Sequence, residues 1–323
     1  MKIFNMLLLL LFFVSCTENK NTDSKENSQP VVVTKNGVSL IVLGTIQDAG
    51  SPQIACTKDC CKELFENPDA NRKVVSLGLV DYQNKKSFLF EATPDLPAQM
   101  KALSKYASFD KKETPDGIFL THAHIGHYTG LMYFGKEAMN AENIPVYAMP
   151  KMKNFLTENG SWSQLVANGN ISVKAIENKK EIQVTSNVRV IPFTVPHRDE
   201  YSETVGYTIV GPNKSALFIP DIDKWQKWDV DIIEAISKVD YAFIDATFYD
   251  GEEINGRDIS EIPHPFIIES MQIFEKLKLS EKHKIYFIHF NHTNPVLRKS
   301  SSQYKKVINA GYNIANIYDV IKL

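Results

Sequence analysis

The chain has 323 residues, 43% of them hydrophobic and 23% charged, with 36 Lys and Arg against 38 Asp and Glu. A formal charge of −2 leaves no basic excess to hold a polyanion, which weighs against nucleic-acid binding through bulk electrostatics. Length and composition suit a folded globular core and exclude a disordered or fibrous chain. Three of the four cysteines, Cys56, Cys60 and Cys61, sit within six residues, too clustered for a disulfide framework.

Residues 1–16 read MKIFNMLLLLLFFVSC, with one lysine ahead of nine unbroken apolar residues, 6–14. As a helix those nine rise about 14 Å, too little for a bilayer core of roughly 30 Å. The charged start, short apolar stretch and small residue before the break are those of a secretory signal. Ser15-Cys16 resembles the bacterial lipobox, which implies cleavage before Cys16 and lipid on its thiol. An ordinary signal peptide with an incidental cysteine is the alternative. Residues 17–30 (TENKNTDSKENSQP) offer nothing to bury and read as a tether. The expected organisation is a signal at 1–16, a flexible tether at 17–35 and one domain at 36–323. The protein is expected in the bacterial cell envelope, lipid-anchored outside the cytoplasm without spanning the membrane.

Apolar, β-branched runs predict strands at 38–43, 74–80 and 87–90, the last two joined by a turn at Gln83-Asn84. Helical spacing of Leu96, Met100, Leu103 and Tyr106 follows, then a buried strand at 118–120. A helix beginning near His127 is expected to carry Leu131, Phe134 and Met139, ahead of a strand at 146–149. Further strands are predicted at 182–184, 188–193, 204–210, 216–219, 241–244, 285–288 and 314–318. Helices are predicted at 229–238 and 267–277. This alternation predicts an α/β layered fold in a single domain.

Six of the eight histidines fall at strand ends or in the adjoining loops: His122, His124, His127, His197, His289 and His292. Loops from neighbouring strands converge at one sheet edge, where metal and catalytic sites gather. Thr121-His122-Ala123-His124-Ile125-Gly126-His127 follows the 118–120 strand directly. In an extended loop residues two apart point the same way, so His122 and His124 can share one ion, with His127 turned to an adjacent position.

HxHxxH after an apolar strand resembles the metallo-β-lactamase fold, whose signature is HxHxDH, with Gly126 standing where that Asp belongs. The resemblance implies a four-layer αβ/βα sandwich. It also implies ligand roles for His197 in Val195-Pro196-His197-Arg198, for Asp221 as the bridging carboxylate, and for His289; Asp223 is a weaker candidate for the bridge. Leu43-Gly44-Thr45, Gly50-Ser51-Pro52-Gln53, Glu91-Ala92-Thr93-Pro94-Asp95-Leu96 and Ile288-His289-Phe290-Asn291-His292-Thr293-Asn294-Pro295 resemble the branch that contains coenzyme PQQ synthesis protein B. That branch is related to cyclic phosphodiesterases and to tRNase Z. In the phosphodiesterases, clustered cysteines and a later histidine hold a structural zinc, a set that Cys56, Cys60, Cys61 and His292 match in kind. A disulfide from Cys56 to Cys60 or Cys61 is the alternative; it strands one thiol.

On this resemblance His122, His124 and His197 hold one zinc with a position open for water. Asp221 orients that water or bridges to a second ion held by His127 and His289. Gly126 leaves that second position one anionic ligand short, and two imidazoles plus one carboxylate is also the facial triad of non-haem iron. His264 matches the histidine of tRNase Z-like enzymes that meets the scissile phosphate or leaving group; a loop histidine between two prolines is the equal alternative. Asp245 is expected to support a catalytic loop, and His283 to be solvated. The substrate pocket is expected from loops 160–170 and 250–265, with Trp162, Trp225, Trp228 and Tyr249 as lining or packing residues.

The leading expectation is a zinc hydrolase of a phosphodiester or ester bond in a small molecule, with no nucleic-acid substrate. Its rivals are an oxygen-using step in PQQ synthesis on iron, and a non-catalytic metal-binding lipoprotein with Gly126 as the mark of lost chemistry.

Overall fold

The computed structural model describes residues 36–109 and 112–323; the signal, tether and Cys16 expectations lie outside them. Strands run β1 (Val38–Gly44), β2 (Ser76–Asp81), β3 (Lys86–Phe90), β4 (Gly117–Phe119), β5 (Ile144–Ala148), β6 (Ile171–Ala175) and β7 (Ile182–Thr185). They continue as β8 (Val188–Thr194), β9 (Val205–Val210), β10 (Ser215–Ile219), β11 (Tyr241–Asp245), β12 (Ile285–Ile288), β13 (Asn313–Ile314) and β14 (Val320–Lys322). Helices are α1 (Asp59–Glu66), α2 (Leu96–Tyr106), α3 (Ile125–Tyr128), α4 (Pro150–Glu158), α5 (Gly160–Ala167), α6 (Ile232–Ser237), α7 (Ile267–Ile273), α8 (Leu279–Lys282) and α9 (Ser302–Asn309).

Two mixed seven-stranded sheets form, in the orders β14-β1-β2-β3-β4-β5-β6 and β13-β12-β11-β10-β9-β8-β7. The side-chain period of two sorts each strand between two interiors. In β1, Val38, Leu40 and Val42 enter the central core, while Ile41 and Leu43 face the helices on the other side. In β11 and β12, Phe243 and Ile288 point inward, whereas Ala242, Ile244, Ile285 and Phe287 meet α6, α7 and α9. The result is the four-layer helix–sheet–sheet–helix arrangement of the metallo-β-lactamase sandwich. Aromatic rings fill its centre: Phe119 stacks on Phe90 at 5.1 Å and on Tyr147 at 4.4 Å, with Tyr207 of the opposite sheet at 5.6 Å.

Several predicted elements differ. The helix expected near His127 is only the four-residue α3 followed by a 3₁₀ turn, Thr129–Phe134, and Met139 is exposed. At that point Gly130 N–H donates to the Ala92 carbonyl at 2.8 Å instead of to a helix carbonyl, and the approach is so close that a Cβ there would lie 2.1 Å from the Thr93 carbonyl oxygen. The strand expected at 314–318 ends at Ile314; the chain turns and crosses to the first sheet as β14, pairing with β1. The expected loop at 160–170 is mostly α5, whose Trp162 packs on Tyr128. Trp225 is core as well, its indole N–H donating to Ser270 Oγ. The helices expected at 229–238 and 267–277 are the shorter α6 and α7.

Candidate metal centre

β1, β3, β4 and β5 run in one direction in the first sheet, as do β8, β10, β11 and β12 in the second. Their C-terminal ends meet along one edge of the sandwich, joined by a bridge between Ile46 and Phe290. The loop after β4 carries His122 and His124, and His127 sits on α3. The loop after β8 carries His197, that after β10 Asp221, that after β11 Thr247, and His289 follows β12 directly. Tyr207 fixes the first loop to the opposite sheet by donating to the Leu120 carbonyl, and Val205 N–H donates to Thr121 O at 3.2 Å.

Asp221 is the hub, and it is buried. Its Oδ2 lies 3.3 Å from His122 Nε2, 3.1 Å from His197 Nε2, 4.0 Å from His124 Nδ1 and 3.8 Å from His127 Nε2. A tetrahedron with metal–nitrogen bonds of about 2.0–2.1 Å has edges of about 3.3 Å, so these spacings fit donors around a shared centre. Three overlapping sets result among the described residues, each with its donor atoms within 4.8 Å of one another: His122, His124, His197 and Asp221; Asp48, His127, Asp221 and His289; and Asp221, Asp245, His264 and His289. Asp221 belongs to all three, and the first two lie side by side around it.

The buried atoms left without a hydrogen-bond partner make the same point. On the side of the centre they include the Nε2 atoms of His127, His197 and His289 and Asp221 Oδ1. Each such atom costs about 1–3 kcal/mol unless something meets it, and a divalent cation meets several at once. The donors therefore fit a metal of the imidazole–carboxylate class, which includes zinc and iron.

The ring nitrogens facing away from the centre have supports that set ring orientation. Thr121 Oγ1 is 2.8 Å from His122 Nδ1, Glu91 Oε1 is 3.3 Å from His127 Nδ1, and Thr247 Oγ1 is 2.8 Å from His289 Nδ1. Asp223 Oδ1 lies 3.6 Å behind His197 at Nδ1 and holds Lys227 through its other oxygen, so Asp223 backs a ligand and does not bridge. Glu91 and His289 both adopt positive φ, +81° and +68°, conformations that non-glycine residues hold only where the surroundings enforce them.

Electrostatics follow from burial set against these partners. Burial keeps the His122 pKa well below its usual value. At His127 burial acts the same way, but Glu91 and Asp48 outweigh it and the pKa stands well above normal. At His264 burial is again outweighed, here by Asp245 and Asp221, which push its pKa up to about 10. The pocket is thus one that attracts positive charge.

The structure brings His264 to this cluster, with Nδ1 3.2 Å from Asp221 Oδ1 and 2.9 Å from Asp245 Oδ2. Asp245 is wholly buried; it also accepts from the Ile222 and Thr247 main-chain N–H groups and from the Thr247 hydroxyl, the supporting role expected of it. His283 is exposed at the end of α8, as expected. Two residues were not anticipated. Glu91 stood within a motif but had no assigned role. Asp48 was not singled out at all, and its Oδ1 lies 3.7 Å from His127 Nε2 and 3.5 Å from His289 Nε2. The second position is therefore not one carboxylate short.

A separate cluster gathers Cys56, Cys60, Cys61 and His292, all unbridged, with donor atoms within 4.8 Å of one another. Cys60 and Cys61 Sγ are 3.9 Å apart, close to the edge of about 3.8 Å expected for zinc–sulfur bonds of about 2.3 Å. Gln53 N–H donates to Cys61 Sγ and Asn291 Oδ1 lies 3.0 Å from His292 Nδ1. The site fits a structural metal that ties α1 to the loop after β12. A cavity of about 610 Å³ lies elsewhere: it opens beside α6 and is lined by Phe193, Val195, Pro196, Leu217 and Trp228.

The beta-lactamase superfamily domain matches residues 86–290, which span the histidine loops and both sheets. The chain belongs to that superfamily. Over nearly their whole length it is similar to coenzyme PQQ synthesis protein B of Methylococcus capsulatus, at 23% identity across 87% of this chain and 98% of that one. The same protein of Gluconobacter oxydans is 24% identical across 86% and 96%. Among solved structures, zinc-bound PqqB from Methylobacterium extorquens superposes with a TM-score of 0.71 at 20% identity, over 88% of this chain and all of that one. A diphosphatase of the PhnP family gives 0.63 at 22% identity, over 88% and 96%. These superpositions show that the chain shares its fold with both.

Proposed function

We propose that the centre makes this protein a zinc-dependent hydrolase of a phosphodiester or ester bond in a small molecule. The observation that carries this reading is that Asp221 belongs both to the set with His122, His124 and His197 and to the set with Asp48, His127 and His289, which makes its carboxylate a bridge between two adjacent positions. His122, His124 and His197 would hold zinc at one position, and His127, His289 and Asp48 at the other. Zinc there supplies Lewis acidity and lowers the pKa of a bound water to about 7. Asp221 orients the attacking water. His264, its Nδ1 fixed by Asp245, holds a proton at Nε2 for the leaving-group oxygen. The likeness to the diphosphatase and the formal charge of −2 both favour a small substrate.

One specific observation favours a second reading. The likeness to PQQ synthesis protein B runs almost end to end, which supports a role in making that cofactor, an oxidative step on iron being the alternative chemistry, although the solved relative holds zinc. The non-catalytic reading loses its ground, since it relied on a missing carboxylate that Asp48 supplies.

Metal analysis of purified protein separates the readings, followed by turnover of a chromogenic phosphodiester. The expected result is zinc in the histidine cluster, with His122→Ala abolishing turnover and leaving zinc at the cysteines. Zinc at the cysteines alone overturns the hydrolase. Iron at the histidines, without turnover, supports the oxidative reading instead.

A further inference from the structure

We propose that Asp48 is a relocated metal ligand, delivered from the loop after β1 into the place a helix aspartate would occupy, and that Gly126 exists to admit it. The inference rests on the metal centre described above and names a ligand at its second position. Asp48 comes from a different segment, 79 residues before His127, yet it packs against the HxHxxH loop and its carboxylate faces the His127 ring.

The geometry ties the two positions together. A Cβ built on Gly126 would lie 2.2 Å from Asp48 Cβ, 2.3 Å from its Cα and 3.0 Å from its Cγ. The nearest obstacles are main chain and the root of a side chain, so no rotamer change relieves them. Any residue but glycine at 126 must therefore displace the Asp48 backbone. An aspartate at 126 and an aspartate at 48 exclude one another in this fold, and the chain carries one.

The loop is built to hold Asp48 there. Gln47 N–H donates to Phe290 O at 2.9 Å and Phe290 N–H to Thr45 O at 2.8 Å, so Asp48 is locked beside His289. Gln47 Nε2 donates to Asp48 Oδ1 at 2.9 Å, and Gly50 N–H closes a turn on Gln47 O at 2.9 Å, with Gly50 in a left-handed conformation at φ +78°. The Asp48 carboxylate is mostly buried. Among the described residues no lysine or arginine pairs with it; what it faces is the pair of imidazole nitrogens on His127 and His289. A carboxylate and two imidazoles converging with Asp221 form a complete four-donor set.

The test counts metal. Full-length protein is stripped with chelator, reloaded with zinc, and measured by mass spectrometry and by titration calorimetry, with circular dichroism as the check on folding. Wild type should bind two zinc ions at the histidine cluster besides the cysteine-bound one. Asp48→Asn keeps the shape and should weaken one of the two about a hundredfold or more, beyond the 10–100-fold cost typical of losing an outer-shell partner. Gly126→Ala, which leaves Asp48 in the sequence but pushes it aside, should weaken the same ion. The exchange Asp48→Gly with Gly126→Asp should restore it to within about tenfold of wild type. If wild type holds two ions at the histidines and Asp48→Asn holds them equally well, this inference fails and the hydrolase reading stands. If wild type holds none there, both fail.

Discussion

The Nδ1 atom of His264 lies 2.9 Å from the Oδ2 atom of Asp245, a carboxylate with no solvent exposure. A histidine whose Nδ1 is held by a buried carboxylate keeps one tautomer, which leaves Nε2 to exchange protons. Removing the proton donor should matter most where the leaving group is a poor one. His264→Gln is expected to lower kcat by about 10²–10⁴-fold with an alkoxide leaving group. With a nitrophenolate leaving group, which departs unaided, the loss should be far smaller. Zinc content should not change. An equal loss with both leaving groups would show that His264 acts on something other than the departing oxygen.

Asp245→Asn tests the same arrangement from behind. Asn keeps the shape, but its amide NH2 cannot stabilise a protonated imidazole, so the variant should follow His264→Gln in its dependence on leaving group. Asp245 also accepts from the main-chain N–H groups of Ile222 and Thr247, and Asn can keep part of that through its carbonyl oxygen. Melting temperature is the control for that structural share. A variant that melts early yet retains wild-type leaving-group dependence would reduce Asp245 to a scaffold.

Much of this fold was legible because strands buried on two sides read as continuous apolar runs, as in Tyr241–Asp245 and Ile285–Ile288. The α4–α5 pair was missed because Glu158-Asn159-Gly160-Ser161 is rich in turn formers and hides two helices that meet at Asn159. The histidines were legible because six residues hold three of them. Asp48 was not, since it lies in a polar turn and its partners are fixed only by tertiary folding. The one available signal was indirect: a glycine at the signature position leaves a charge to be supplied from elsewhere.

The cysteine cluster should be worth more to stability than to chemistry. It joins α1 to His292, three residues past His289, so a metal there would cross-link two segments that are distant in sequence. Cys60→Ser is expected to lose one zinc, lower the melting temperature by several degrees and leave the metals at the histidine cluster bound. The measurement is zinc content in reducing buffer together with a thermal melt. Unchanged zinc in the variant would mean that these thiols hold no metal.

At the N-terminus the sequence Ser15-Cys16 leads us to propose a lipid anchor that holds the protein in the cell envelope. Cells grown with labelled fatty acid should yield labelled, membrane-associated wild-type protein. Cys16→Ser should be unlabelled and should leave the membrane fraction. A variant that remains membrane-bound without label would rule the lipid out as the anchor.

Glu253 gives the fold a pH dependence separate from the histidines. It sits beside His292, Cys56 and Lys58 in a small cavity of about 320 Å³, accepting hydrogen bonds from Tyr249 N–H and the Thr293 hydroxyl. Burial pushes its pKa from 4.5 up to about 7; the main-chain N–H groups of Tyr249 and Asp250 and the Thr293 hydroxyl oppose that, and the charge of Asp250 adds a smaller upward push. A carboxyl with a raised folded-state pKa binds more protons folded than unfolded between those two values. Its contribution to stability is therefore full below about pH 4.5 and is lost as the pH rises through about 7. Glu253→Gln carries no charge to bury and removes that slope. Relative to wild type, the variant should melt several degrees higher at pH 8, with the difference shrinking toward zero at pH 5; the upper bound is about 3 kcal/mol. Parallel melting curves for the two proteins from pH 5 to pH 8 would show that Glu253 stays ionised in the folded protein.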